Sequence, residues 1–399
     1  MLEYLSYVLC FLLLILFIIY IYIRIKFGFW VIQPVFHVYD FNYMIKPPGI
    51  IDSSLPSKNK YTNFREIDTI IISELTSIQR QRFINLIKTN YLQNKDNIFS
   101  PKSENIMPYF NGHNDKSFIS FFYKDDHMID LKNGNMITDR KILGAITSRP
   151  LHIIINNGDK DSNFDAYYVD YLCVDKLHRK KGIAPQLIQT HHYNQRLLNK
   201  KIVVSLFKRE DELTGIVPLC VYSTYGFPVN KWSKPPELSS QYKLLEINAQ
   251  NFRFLYDFIK KNSNKFDIFI SVENSNIIEL IKTKNIFIYS ILCDENILCC
   301  YFFSNSCVEI EKGLGVLNCF ASICDCEFDV FIQGFKISFW KIASENYFGF
   351  SAIENIAHND ILINNIMLKT QPIIVSPTAY FFYNFAYPSF KANKVLIIN

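Results

Sequence analysis

The longest hydrophobic run lies at the start of the chain, where LSYVLCFLLLILFIIYIYI, residues 5–23, carries no charged side chain. At about 1.5 Å of rise per residue a helix here reaches roughly 28 Å, the thickness of a bilayer core. Tyr20 and Tyr22 sit near one end, Arg24 and Lys26 follow, and the other side offers only Glu3. This predicts a single-pass membrane anchor with residues 24–399 facing the cytosol. The leading acidic charge and the lack of a small-x-small site argue against a cleaved signal peptide. An all-round apolar pattern without caps argues against a buried core helix.

Past the anchor the apolar runs shorten. Residues 76–91 show helical spacing, with Ile78, Phe83, Ile84, Leu86 and Ile87 on one side. Strands are predicted at 118–123, 143–149 and 151–155, a polar turn at 161–165, a strand at 202–207 and a charged loop at 208–212. Three prolines within 228–238 read as a linker. Beyond it come a helix at 251–261, strands at 267–271, 286–292 and 298–304, a helix at 331–344, and strands at 348–351 and 378–384. No clean repeat relates the two halves.

The segment that organises the rest is YVDYLCVDKLHRKKGIAPQLIQTHHYNQR, residues 168–196. Residues 168–174 are β-branched and aromatic, a buried strand; 175–181 form a basic turn; Gly182 opens a helix with Pro185 in its first turn. A glycine-bearing loop entering a helix offers free N–H groups and the positive end of a dipole, a site for an anion. Arg179 and Lys181 favour a pyrophosphate over a carboxylate. Taken alone, the segment is equally compatible with a solvated strand-to-helix turn.

Composition narrows the class. The chain has 399 residues, 49% hydrophobic and 20% charged, enough for two globular cores. A net charge of +5 suits an anionic cofactor or a membrane surface and falls short of a nucleic-acid binder. The ten cysteines include no CxxC pair, so no zinc site is expected and they read as reduced, packed thiols. The eight histidines form no HExxH, and His191 and His192 read as solvated helix residues.

Leu172-Cys173-Val174 followed by Arg179-x-Lys181-x-Ile183-Ala184-Pro185 resembles protein N-myristoyltransferases, members of the GNAT superfamily of acyl-CoA N-acyltransferases. Phe29-Trp30-x-x-Gln33-Pro34-Val35 resembles the FWxTQPV segment of that family, and Tyr91 to Phe99 its YVEDDDNMF loop, with the acidic run reduced to Asp96 beside Lys95. Cys220 to Tyr225 aligns loosely with a CRYWHR region. Phe350-Ser351-Ala352-Ile353, Tyr380 to Asn384 and the tail Lys394 to Asn399 resemble the family's last three segments.

The resemblance implies an α/β fold of two tandem GNAT-like domains with pseudo-twofold symmetry, preceded by one transmembrane helix. The expected boundaries are 1–26 for the anchor, 27–228 for the acyl-CoA-binding domain and 229–399 for the acceptor-binding domain. It implies contacts to CoA from Phe27, Phe29, Trp30 and Val174, with Arg179, Lys180, Lys181, Gly182, Ile183, Ala184 and Pro185 around the phosphates. For the aromatic residues, an interfacial belt is the competing reading. Acceptor contacts fall to Asp96, Phe99, Tyr222 and Asn384.

Acyl transfer from a thioester to an amine needs a proton acceptor, a stabilised carbonyl oxygen and a departing thiolate. The resemblance assigns the first to the α-carboxylate of Asn399, at the end of an apolar tail that also reads as a closing strand, and the second to the backbone N–H groups of Tyr171 and Leu172 at a strand bulge. Cys173 reads as a packed thiol. The expected function is acyl-CoA-dependent transfer of a myristoyl-type chain to an N-terminal glycine amine. The alternatives are GNAT-type acetyl transfer and an inactive, membrane-anchored acyl-CoA-binding protein. Expected partners are acyl-CoA, the N-terminal peptide of an acceptor protein and a membrane, with no metal or nucleic acid and a monomeric chain.

Overall fold

The computed structural model describes residues 2–26, 28–92, 97–129, 136–156, 162–210, 215–229, 232–310 and 313–399. Its strands are β1 (Gly49–Ile50), β2 (Ile67–Ile71), β3 (Asn97–Phe99), β4 (Phe118–Ile129), β5 (Met136–Ile155), β6 (Ser162–Val174), β7 (Val204–Glu210), β8 (Cys220–Pro228), β9 (Tyr242–Glu246), β10 (Ile268–Ser271), β11 (Ile286–Cys293), β12 (Asn296–Ile310), β13 (Leu314–Cys324), β14 (Phe348–Glu354), β15 (Ile374–Tyr383), β16 (Phe385–Ala386) and β17 (Val395–Ile398). The helices are α1 (Leu2–Lys26), α2 (Phe41–Ile45), α3 (Ser77–Asn90), α4 (Ser103–Ile106), α5 (Ile183–Leu198), α6 (Phe252–Asn262), α7 (Asn274–Lys282), α8 (Phe328–Asn346) and α9 (Asn359–Met367).

Fifteen strands form one sheet whose main path runs β17-β10-β5-β6-β7-β15-β8-β14-β13-β12-β11-β9. Each half contains one parallel pair bridged by a helix: β6 and β7 flank α5, and β13 and β14 flank α8. At the centre the halves exchange strands. β15 pairs antiparallel with β7, and β8 pairs antiparallel with β14. The tail strand β17 lies parallel to β10, which lies antiparallel to the end of β5. The last residues of the chain are thereby delivered to the N-terminal half. One core cluster holds Leu151, Val204, Ile270, Phe302, Phe382 and Leu396, so neither half buries its apolar face without the other.

Several expected boundaries shift. The two short strands expected at 143–149 and 151–155 are parts of β5, which continues through Pro150. The polar turn expected at 161–165 is, where described, the start of β6, and Lys208 to Glu210 of the expected charged loop belong to β7. The helix expected within 76–91 forms as α3, with a reciprocal cap in which the Gln79 N–H donates to Thr76 Oγ1 (3.2 Å) and the Thr76 N–H to Gln79 Oε1 (3.1 Å).

Helix α1 forms where the first apolar run predicts it, and its described large side chains are exposed all round. Among the described residues no helix is long and apolar enough to cross a membrane. The transmembrane part of the expectation is therefore not met by the described residues.

Candidate functional site

The site begins where the sheet comes apart. β6 and β7 run in register from Ala166↔Val204 to Val169↔Phe207 and then separate. β6 continues along β5 as far as Val174↔Gly144, while β7 continues along β15 as far as Glu210↔Thr378. Between Asp170 and Cys173 the β5 register shifts, so that Tyr171 and Leu172 together oppose Ile146. This is a bulge of the kind that bends a strand and re-aims its amides. Tyr171 adopts φ +48°, the left-handed region. Its N–H donates to Asp170 Oδ1 at 2.7 Å.

Two cavities meet at the bulge. The larger, about 530 Å³, is lined by Trp30, Leu172, Ile188, His192, Phe207 and Tyr383 among others. Trp30 stacks on Phe207 at 5.7 Å, and Phe29 packs edge-on against Trp30 and Tyr61, each at 5.1 Å. The smaller, about 250 Å³, is lined by Phe99, Arg149, Ser306, Glu354, Tyr380 and Asn399 among others. Tyr168, Asp170, Tyr171 and Lys208 line both. A group held in one cavity therefore faces a group held in the other across the bulge.

The basic turn precedes α5. Gly182 is the N-cap at φ +77°, a conformation that favours glycine, with no side-chain cap on the helix N–H groups. Lys180, Lys181 and Gly182 are exposed, and Ala184 and Pro185 are half-buried in the first turn. Ile183 is buried against Leu187 and Leu143, and Val174 packs on the same cluster. Arg179 is partly tied down: its Nε donates to the Val174 carbonyl (3.3 Å) and its Nη2 to the Asn90 carbonyl (2.5 Å). The turn thus presents uncapped helix N–H groups beside two exposed lysines.

The smaller cavity carries buried charge. Glu354 accepts from Lys208 Nζ (3.1 Å) and Asn318 Nδ2 (3.0 Å) on one oxygen and from the Tyr222 hydroxyl on the other. Burial raises the Asp170 carboxyl above the usual carboxylate range, against the opposing pull of Arg149, the Tyr171 N–H and Lys208. Burial likewise raises the Tyr168 phenol, which the Asn399 side chain approaches. Asn399 Nδ2 is itself buried without a hydrogen-bond partner among the described residues. The Cys173 thiol, buried beside α3, is pushed up to about 12 and is not poised as a nucleophile.

Of the sequence-singled residues, Asn399, Tyr171, Leu172, Trp30 and Phe99 line the two cavities. Tyr222 reaches the smaller one through Glu354. Phe27 and Asp96 lie outside the described residues. Asn384 does not join the site. Its side chain is buried, accepting from the Asp52 N–H (2.8 Å) and donating to the carbonyls of Asp52 (2.7 Å) and Val203 (3.0 Å), which pins the arm around β1.

His191 and His192 are not solvated: both are buried on the sheet side of α5. His191 bridges Ser120 Oγ (2.8 Å) and Ser148 Oγ (2.9 Å), and His192 packs edge-on to Tyr383 at 4.6 Å. Hydroxyl partners supplied by β4 and β5 let an imidazole sit in the core, and those partners are distant in sequence. Arg149, Asp170, Lys208 and Glu354 were not singled out. Asp170 adjoins the expected bulge, which is the one signal that could have found it.

Residues 65–220 match the family model described as Myristoyl-CoA:protein N-myristoyltransferase, N-terminal domain. A chain of Amsacta moorei entomopoxvirus assigned as a glycylpeptide N-tetradecanoyltransferase is 24% identical over 241 residues, spanning 56% of this chain and 73% of that one. Among solved structures, Saccharomyces cerevisiae N-myristoyltransferase with bound myristoyl-CoA superposes with a TM-score of 0.68 at 14% identity, covering 92% of this chain and 94% of that one. A tandem GNAT protein from the clavulanic acid biosynthesis pathway superposes at 0.53 with 9% identity, over 82% and 100%. The last two share the fold. The family match contains the split strand, the basic turn and α5, which are the parts that build the site. By these comparisons residues 65–220 are similar to the N-terminal domain of N-myristoyltransferases, and the chain shares the fold of the solved enzyme.

Proposed function

We propose that the protein is an acyl-CoA-dependent N-acyltransferase that carries a myristoyl-type chain to the N-terminal glycine amine of an acceptor protein. The observation that carries this reading is the pair of cavities sharing Tyr168, Asp170, Tyr171 and Lys208 where β6 leaves β7. The larger cavity, with its aromatic and aliphatic walls, exceeds what a two-carbon acetyl group needs and favours a long chain.

Acyl-CoA supplies the activated thioester. The N–H groups at the start of α5, with Lys180 and Lys181, hold its phosphates, while Phe29 and Trp30 flank the nucleotide end. Leu172 and Tyr171 present the bulge amides to the thioester oxygen. Because the Tyr171 N–H is held by Asp170 in the free protein, an ammonium drawn to Asp170 would release that amide. Amine docking and oxyanion stabilisation would thus be linked. Asn399, which lines the smaller, acceptor cavity, is read as the residue whose α-carboxylate takes the proton from the amine, and Phe99 and Tyr222 help to shape the acceptor side.

Residues 27–228 and 229–399 are read as two GNAT-like units, each with its own parallel strand pair and bridging helix. Helix α1 is read as the membrane anchor, with the catalytic part on the cytosolic side. The supports are its uninterrupted apolar sequence, the exposure of its described side chains and Arg24 and Lys26 at its end. An anchor places the enzyme where a fatty acyl-CoA partitions and where its product resides. Membrane fractions extracted at alkaline pH should retain the full chain and release a form lacking residues 1–26.

The decisive assay incubates the protein with labelled acyl-CoA of graded chain length and an N-terminal glycine peptide. Amide formation peaking at long chains is expected. No transfer at any chain length would overturn the reading.

A further inference from the structure

Arg149 is the one buried guanidinium in the acceptor cavity, and the described residues leave it without an anionic partner. It projects from β5 with 3% exposure. Its guanidinium lies 5.1 Å from the ring centres of both Tyr109 and Tyr168, held between two aromatic walls. Its Nη1 is buried and makes no hydrogen bond among the described residues. The neighbouring carboxylates do not fill the vacant position. Both oxygens of Glu354 are taken by Lys208, Asn318 and Tyr222. Asp170 holds the Tyr171 N–H and acts on Arg149 without forming an ion pair with it among the described residues.

A buried charge with an unmet donor is among the least tolerable features of a protein interior, and it persists where a ligand supplies the missing group. The ligand chemistry is constrained. A planar fork of donors between two rings matches a carboxylate, which accepts two parallel hydrogen bonds. The same cavity contains Asn399 and opens on the Tyr171 bulge, so an occupant reaching Arg149 also reaches the acyl-transfer point. We propose that Arg149 is the specificity residue of the acceptor cavity and that the preferred acceptor peptide carries an Asp or Glu side chain a few residues behind its reacting amine. This rests on the N-acyltransferase reading and adds to it the charge class of the substrate.

The test uses the full chain, long-chain acyl-CoA and N-terminal glycine peptides in which a single Asp, or its Asn control, is walked through the next five positions. At one position the Asp peptide should exceed its Asn control by roughly 30-fold or more in kcat/KM, the range seen when a buried charge gains its partner. Arg149→Met should collapse that ratio towards one, and Arg149→Lys should retain part of it. A ratio near one at every position in the unaltered protein overturns the proposal, as does a ratio unchanged by Arg149→Met. Equal losses for Asp and Asn peptides overturn it too, since they would assign Arg149 to the chain's own terminus. If no peptide is acylated, the acyl-transfer reading fails, and equilibrium titration of the Asp and Asn peptides still decides Arg149. Thermal melting of Arg149→Met at or above the unaltered protein shows that the variant is folded.

Discussion

The Tyr171 N–H donates to the carboxylate of Asp170 at 2.7 Å, so the residue that bulges out of β6 is fastened to the acid that precedes it. That acid is buried and its carboxyl is raised above the usual range, chiefly by desolvation. For a carboxyl raised in the folded state, the ionised form is the disfavoured one. Its stabilising share is full below the ordinary value of 3.8 and is lost as pH rises through the folded value. Asp170→Asn keeps an acceptor for Tyr171 and removes the charge. It should therefore raise the melting temperature at neutral pH, with the gain vanishing in acid. The same variant should lower kcat, since an ammonium no longer finds a carboxylate at the bulge. Melting curves across pH, read beside acyl-transfer rates, check both.

Gly182 stands at φ +77° at the head of α5, and a Cβ there would meet only Gln186 Nε2, at 3.9 Å. Space is not limiting; backbone conformation is. Gly182→Ala should destabilise by about 1 kcal/mol. It should also weaken acyl-CoA binding, because the amides of the turn must shift. Chemical denaturation and titration with acyl-CoA measure the two effects separately.

Lys208 and Glu354 form a largely buried pair between β7 and β14. Removing the acid leaves the ammonium enclosed by the Tyr222 and Tyr380 rings without its counter-ion. Glu354→Gln should cost about 3 kcal/mol, and the double change with Lys208→Met should recover most of that. A double-mutant cycle in denaturant reads the coupling.

His191 and His192 are each held to about 3 by burial, while an unfolded histidine titrates at 6.5. Their stabilising share is complete above 6.5 and drains away as pH falls towards the folded values, by up to about 1.4 kcal/mol per pH unit for each group. The denaturation midpoint should fall steadily below pH 6.5, and His192→Asn should make that slope shallower.

Asn399 lines the smaller cavity at the end of β17. A two-residue extension after it should lower kcat by about 100-fold, the scale of losing a positioned proton acceptor. Melting temperature and acyl-CoA affinity should change little. An unimpaired extended protein would remove Asn399 from the chemistry.

The strand-turn-helix segment of the site was readable because its elements are local. The strand before Val174, the basic turn and the Gly182 helix start are contiguous in sequence, and their chemistry follows from neighbouring residues. The apolar spacing from Ile78 to Ile87 marks α3 in the same way. The smaller cavity was not. Arg149, Lys208 and Glu354 stand on three strands far apart in the chain, and each reads singly as an ordinary charged residue. Asn384 was misplaced because its partners, Asp52 and Val203, are distant in sequence. His191 and His192 were misplaced because Ser120, Ser148 and Tyr383 shelter them.

By itself the order of residues determined where α3 and α5 form, where a basic glycine-bearing turn enters a helix and which acyl-transfer family the chain resembles. Those properties arise from side-chain periodicity and from backbone groups within a few residues of one another. Only the tertiary structure decided that β17 returns to the N-terminal half beside β10, that β7 and β6 part after Val169 and Phe207, and that Arg149 Nη1 is enclosed without a hydrogen-bond partner among the described residues. Long-range strand pairing sets which side chains share a cavity, and burial sets what each charge there requires. Neither quantity exists until the sheet has closed.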